Sequence, residues 1–169
     1  MAGPSAVNFL ATAKPVMQQE RYKDVSFRAL SSQDLDSVLE IEMALCEVPW
    51  TRGNFQGCLD SEHQCWLMLN EGQHVGHSVL SVVSGEAEIL NISIAVGYQG
   101  RGLGRVLLRY MLSKAENLNV QAVFLEVRAS NEVAQSLYLS EGFNEVGLRP
   151  AYYPAAGGRE DAIIMAMEL

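Results

Sequence analysis

The chain has 169 residues, 49% of them hydrophobic, which suits one domain with a sizeable core and is too apolar for a disordered segment. Twenty acidic against twelve basic side chains give a net charge of -8, which opposes the phosphate backbone of nucleic acids and favours a basic protein or peptide partner. Cys46, Cys58 and Cys65 make neither a C-x-x-C pair nor an even disulfide set, and no apolar run approaches the roughly 20 residues of a membrane span. A reducing, cytoplasmic setting is expected, and secretion and membrane insertion are not.

Residues 1–24 mix Ala, Gly, Pro, Ser and Gln without a period and read as a flexible extension or leader, so the folded domain is 25–169. Val25 to Leu30 is a first strand. Ser31 and Asp34 offer an N-cap and an acidic first turn for a helix through about Leu45, along which Leu35, Val38, Leu39 and Glu42 recur at helical spacing. Pro49 and Trp50 break the chain before Thr51 caps a second short helix, Arg52 to about Leu59. Gln64 to Leu69, His74 to Val83 and Ala87 to Val96 read as an antiparallel meander, its first two strands joined by Glu71, Gly72 and Gln73. After a glycine-rich turn, Val106 to Leu118 is helical and Val120 to Val127 returns to strand. Ser130 or Asn131 caps a further helix that stops near Gly142, and Phe143 to Leu148 and Ala162 to Met167 close the chain as two strands. This order predicts an α/β (mixed α+β) domain with a central, mostly antiparallel sheet flanked by helices.

The turn Gln99-Gly100-Arg101-Gly102-Leu103-Gly104-Arg105 falls between a strand and a helix, where exposed N–H groups and the helix dipole attract a phosphate. It lacks the Gly-Lys-Ser/Thr ending of a Walker loop, and Leu107 stands where a dinucleotide fingerprint has its third glycine. A pyrophosphate outside a Rossmann unit remains, with an ordinary glycine-rich turn as the alternative. Alternation from Val123 to Val127 places Phe124 and Glu126 opposite Val123, Leu125 and Val127, so an acid interrupts a strand otherwise built for burial. A partly buried carboxylate suits a general base; a rim pairing of Glu126 with Arg128 is the other reading, and the residues alone balance the two. Asn131 and Tyr138 lie seven residues apart, two helical turns, so both can face one cleft; a cap for Asn131 and core packing for Tyr138 are the alternatives.

Gln99, Gly102 and Gly104 in their strand–helix context resemble the coenzyme A loop, Gln/Arg-x-x-Gly-x-Gly/Ala, of the GNAT acetyltransferases. The resemblance narrows to the bacterial ribosomal-protein alanine acetyltransferases of the RimI type through Leu125-Glu126-Val127-Arg128-Ala129-Ser130-Asn131, Tyr138, Tyr152-Tyr153-Pro154 and Gly158-Arg159-Glu160-Asp161-Ala162. It covers roughly Val25 to the last residue. It implies the GNAT fold, acetyl-CoA as acetyl donor, backbone contacts from Ile92, Ser93 and Ile94 to the acetyl-pantetheine arm, and a pyrophosphate held by Gly100, Arg101, Gly102, Leu103, Gly104 and Arg105. Asn131 adds a cofactor contact.

An α-amine with a pKa near 8 is mostly protonated at neutral pH, so a base must collect a proton before it attacks a thioester. The resemblance gives Glu126 that role and makes Tyr138 the proton donor to the leaving thiolate, with the oxyanion on a backbone N–H near Ile94. Trp50, Tyr152 and Tyr153 are expected as loop aromatics that wall a cleft for an extended peptide. Arg159, Glu160 and Asp161 are expected to form hairpin salt bridges. By the resemblance the acceptor is the amino-terminal alanine of a small-subunit ribosomal protein, a basic substrate that suits an acidic enzyme. His63, His74 and His77 have no metal-binding spacing, so no metal is expected, and the protein is expected to be a monomer or weak dimer. Two alternatives stay open: a GNAT enzyme acting on a small amine, lysine or antibiotic, and a non-catalytic acyl-CoA sensor.

Overall fold

A computed structural model describes residues 22–61 and 63–169. The extension expected over 1–24 therefore lies, as far as residue 21, outside the described residues; Tyr22–Asp24 form a turn into the first strand. The strands are β1 (Val25–Ala29), β2 (Gln64–Asn70), β3 (Gln73–Val83), β4 (Glu86–Ile94), β5 (Ala122–Arg128), β6 (Asn144–Ala155) and β7 (Gly158–Glu168). The helices are α1 (Leu35–Leu45), α2 (Arg52–Asp60), α3 (Leu103–Asn117) and α4 (Glu132–Ser140). All seven strands form one sheet in the order β1-β2-β3-β4-β5-β7-β6. Among the described strands only the β4–β5 pairing is parallel. The other ladders are antiparallel, and tight turns with positive φ at both central residues, Glu71-Gly72 and Ser84-Gly85, join β2 to β3 and β3 to β4.

Helices cover both faces of the first half of the sheet. On one face Leu35 and Val38 of α1 and Phe55 of α2 pack on Leu67 and Val79. On the other, Leu108 and Met111 of α3 and Tyr138 of α4 pack on Leu80, Leu125 and Met165. Leu103, Leu107, Leu108, Met111, Leu112 and Ala115 are all buried, so α3 presents a continuous apolar stripe. At roughly 1.5–3 kcal/mol for each large apolar side chain removed from water, that stripe fixes the helix and with it the glycine turn at its start.

One irregularity opens the sheet. Val79 pairs with Asn91 and Leu80 with Ile89, so Leu90 is an extra residue in β4. The parallel ladder runs from Glu86–Ala122 to Ile89–Leu125 and ends at that bulge. Beyond it β4 and β5 part, and the β4 edge over residues 90–94 faces a gap instead of a neighbour strand.

Two expectations need correction. Helix α3 begins at Leu103, not Val106, because Gly102 adopts the left-handed conformation (φ 82) and turns the chain into the helix from inside the glycine loop. The final hairpin is much longer than expected, and Tyr152, Tyr153 and Pro154 are strand residues rather than loop residues. Its register shifts twice, between Glu145 and Gly147 and between Arg149 and Tyr153, and Ala151 has φ 51, so no single two-residue period survives in the sequence. Pro154 is accommodated because β6 is an edge strand.

Candidate active site

Two cavities meet where β4 and β5 part. A groove of about 650 Å³ runs between the glycine loop and α4, and a cleft of about 420 Å³ lies between the α1–α2 connection and the β6–β7 hairpin. Ile92, Asn131 and Tyr138 line both, so the two spaces share a wall at the splayed strands.

Backbone builds the groove. Gln99 donates its side-chain amide to the Ile94 carbonyl at 3.0 Å, which ties the loop to the end of β4. A Cβ on Gly102 would run into the Tyr22 hydroxyl, and its φ disfavours any side chain. The first helical bond of α3 runs from the Val106 N–H to the Gly102 carbonyl, so the amides of Leu103, Gly104 and Arg105 precede the helical ladder and are available to an anion. Arg105 lines this groove and is held by Glu141 at 2.8 Å and Ser140 at 3.1 Å. Arg109 binds the same carboxylate at 2.7 Å, so two guanidinium groups share one acid and leave a net positive charge beside the loop. Such a cradle fits the phosphate end of a coenzyme, with Ile92, Ile94 and Leu137 offering an apolar path toward the shared wall.

Not every expected cofactor residue faces this groove with its side chain. Gln99, Gly100, Gly102, Leu103, Gly104, Arg105 and Asn131 line it. Arg101 instead donates to the Gly97 carbonyl at 2.7 Å and stacks over Tyr98. Ser93 turns its hydroxyl to Glu42 at 2.5 Å, leaving only its backbone for the gap. Asn131 caps α4 by accepting from the Ala134 N–H at 3.1 Å, so its carbonyl oxygen is committed and its amide NH2 is not.

Side chains build the cleft. Glu126, Tyr138, Trp50 and Tyr153 all line it. Glu126 is bound by Arg149 at 2.7 Å, not by Arg128, which corrects the rim pairing considered from sequence. Arg128 reaches across to Glu160 at 3.2 Å and the Pro154 carbonyl at 3.0 Å, its guanidinium 4.5 Å from the Tyr153 ring centre. Glu160 also accepts from the Ser130 N–H at 2.8 Å and hydroxyl at 2.6 Å, clamping the hairpin to the start of α4. Of the residues expected to form hairpin salt bridges, Glu160 pairs outside the hairpin with Arg128 of β5, while Arg159 donates to the Ala151 and Tyr152 carbonyls and Asp161 accepts from the Ala151 N–H. Tyr153 donates to the Glu126 backbone carbonyl at 3.2 Å, and burial, followed by the nearby Glu126 charge, pushes its hydroxyl up to about 12. Tyr152 is 40% exposed and absent from the cleft lining; its hydroxyl bonds the Glu126 carboxylate, which raises its pKa.

Tyr138 is 6% exposed, and burial drives its hydroxyl far above the ordinary tyrosine value. Among the described residues no hydrogen-bond partner reaches that hydroxyl, so a proton held there is available to a group arriving at the shared wall. Trp50 lines the cleft while its ring packs 5.1 Å from that of Phe55, so one side chain both walls the cleft and ties its loop to the core. Residues that sequence reasoning passed over are Glu42, Asn91 and Cys46 in the cleft wall and Arg149 on Glu126. Glu42 had a signal: it was an acid on an otherwise apolar helical stripe.

Residues 29–143 match the Acetyltransferase (GNAT) family. The chain belongs to the GNAT acetyltransferase family. GNAT relatives include the [ribosomal protein bS18]-alanine N-acetyltransferase of Escherichia coli strain K12, 38% identical over 141 residues, which span 83% of this chain and 95% of that protein. The enzyme of the same name from Haemophilus influenzae is 37% identical over 80% of this chain and 93% of its own length. The crystal structure of the Escherichia coli ribosomal-protein-S18-alanine N-acetyltransferase superposes with a TM-score of 0.80 at 37% identity, covering 85% of this chain and 93% of that one. The GNAT family uses acetyl-CoA, and the chain is an acetyl-CoA-dependent N-acetyltransferase on the mixed seven-stranded GNAT sheet. Among the described residues no helix is long and apolar enough to cross a membrane.

Proposed function

We propose that this GNAT enzyme acetylates the α-amino group of a protein amino terminus, and that its acceptor is the amino-terminal alanine of a basic small-subunit ribosomal protein in the cytoplasm. The observation that supports the reading is the junction of groove and cleft at Ile92, Asn131 and Tyr138, where a groove lined by the glycine loop and an aromatic-walled cleft meet. The relatives' named activity and the net charge of -8 support the choice of acceptor.

When bound, acetyl-CoA supplies the thioester carbonyl that the amine attacks. The amides of Leu103, Gly104 and Arg105 bind the pyrophosphate, and the unpaired edge of β4 at Ile92–Ile94 orients the pantetheine arm and offers an N–H to the carbonyl oxygen. Glu126 takes the amine's proton on its carboxylate, directly or through a water, while Arg149 and Tyr152 fix its orientation. Tyr138 holds a proton at its hydroxyl for the departing sulfur, since a tyrosine raised by burial stays protonated at any working pH. Trp50 and Tyr153 wall the peptide's path and exclude water, and Tyr152 contributes through Glu126.

The test is thiol release from acetyl-CoA with a synthetic peptide beginning Ala-Arg-Tyr against its amino-terminally blocked copy. Turnover with the free terminus alone supports the reading. Coenzyme binding without peptide turnover overturns it in favour of a small-amine enzyme or an acyl-CoA sensor.

A further inference from the structure

Glu42 stands on the apolar face of α1 and is 5% exposed, one of three buried polar residues among those described, with His77 and Ser78. Its Oε1 takes the His77 Nε2 at 3.0 Å and the Ser93 hydroxyl at 2.5 Å. Among the described residues its Oε2 has only the Asn91 amide at 3.4 Å, the long end of the hydrogen-bond range. Because Oε1 can only accept, Nε2 of His77 donates to it, and among the described residues Nδ1 is buried with no partner. Burial pushes the Glu42 pKa up, but the hydrogen bonds from His77 and Ser93, with the electrostatic pull of His77 and the Asn91 amide, outweigh that and hold it below its ordinary value.

A buried carboxylate oxygen held by one long hydrogen bond is costly unless a further donor reaches it. Arg128, the basic side chain in the cleft lining, is committed to Glu160, and Arg149, outside the lining, to Glu126. Glu42 and Asn91 line the same cleft as Glu126 and Tyr138, and a carboxylate has room for about four donors, of which this one has three.

We propose that Glu42 is the anchor for the acceptor's amine: Oε2 accepts an N–H of the incoming α-amino group and orients it in the cleft, while His77 and Ser93 fix Oε1 as positioning residues. The contact serves the ammonium and the free amine alike, and leaves proton removal to Glu126. The proposal rests on the α-amine reading above and names its binding determinant. A substrate lacking a free amine leaves Oε2 undersatisfied, so the site selects unblocked termini at the binding step as well as the chemical one.

The test is calorimetric binding of the free and amino-terminally blocked Ala-Arg-Tyr peptides to the coenzyme A complex of the wild type and of Glu42→Gln. In the variant the side-chain oxygen can still receive His77 and Ser93, but an NH2 replaces Oε2. The wild type is expected to prefer the free terminus at least tenfold, and Glu42→Gln to reduce that preference to twofold or less with coenzyme A affinity unchanged. Should Glu42→Gln not fold, Glu42→Asp, which keeps the charge and withdraws it by one methylene, is expected to lower the preference at least threefold. A wild-type preference that persists in a folded variant overturns the role of Glu42 alone. A wild type that binds both peptides equally overturns both this role and the α-amine reading beneath it.

Discussion

The groove and the cleft share a wall but are made of different material. The groove depends on backbone: a left-handed Gly102, the leading amides of α3 and a strand edge freed by the Leu90 bulge. The cleft depends on side-chain pairs drawn from distant parts of the chain, Glu126 with Arg149, Arg128 with Glu160 and Glu42 with His77. A site made of backbone depends on shape and tolerates most side-chain changes, whereas a site made of paired charges depends on each partner.

Substitutions sharpen that contrast. The largest effect is expected for Glu126→Gln, which removes the base and should lower kcat by roughly 10³-fold with little change in the KM for acetyl-CoA. Tyr138→Phe should lower kcat by roughly 10²-fold while leaving coenzyme affinity alone, and unchanged turnover would remove its role as proton donor. Gly102→Val should act the other way, raising the KM for acetyl-CoA by about tenfold with a smaller effect on kcat once saturated, because both the φ of 82 and the Tyr22 hydroxyl oppose a side chain there. If Arg105→Ala weakened acetyl-CoA binding more than Gly102→Val, the contrast would break, and the groove would prove to depend on charge as the cleft does.

The smallest expected effect concerns stability. Burial, with a smaller push from the neighbouring His77, lowers the pKa of His74 to about 4, below the ordinary value of about 6.5 in an unfolded chain. As pH falls, the unfolded chain takes up this proton first, so the contribution of His74 to stability is intact above about pH 6.5 and is lost progressively toward pH 4. The loss amounts to about 1 kcal/mol, given the ring's partial access to solvent. Urea unfolding across that range, compared with His74→Gln, should show the slope in the wild type alone.

Local signals made much of this molecule legible in the sequence. The meander, the capped helices and the glycine loop follow from periodicity, turn residues and caps, each readable within a few residues, and Thr51 and Asn131 do cap α2 and α4. What escaped was set by partners far away in the chain. Arg149 meets Glu126 only because β7 lies between β5 and β6, an arrangement with no local signature. The length of the hairpin was hidden by its two register shifts. Glu42 was visible as an acid in an apolar stripe, but its partners His77, Asn91 and Ser93 come from β3 and β4, 35 to 51 positions later.

The placement of β7 also bears on how the protein is made. This strand pairs with β5 on one side and β6 on the other, so β5 has no partner on that side until β7 has left the ribosome. The meander and its helices can assemble as soon as they emerge, but Glu126 and the hairpin wall must wait for the closing residues. Until then β5 presents an open edge, which makes the nascent chain most vulnerable to mispairing just before the cleft forms.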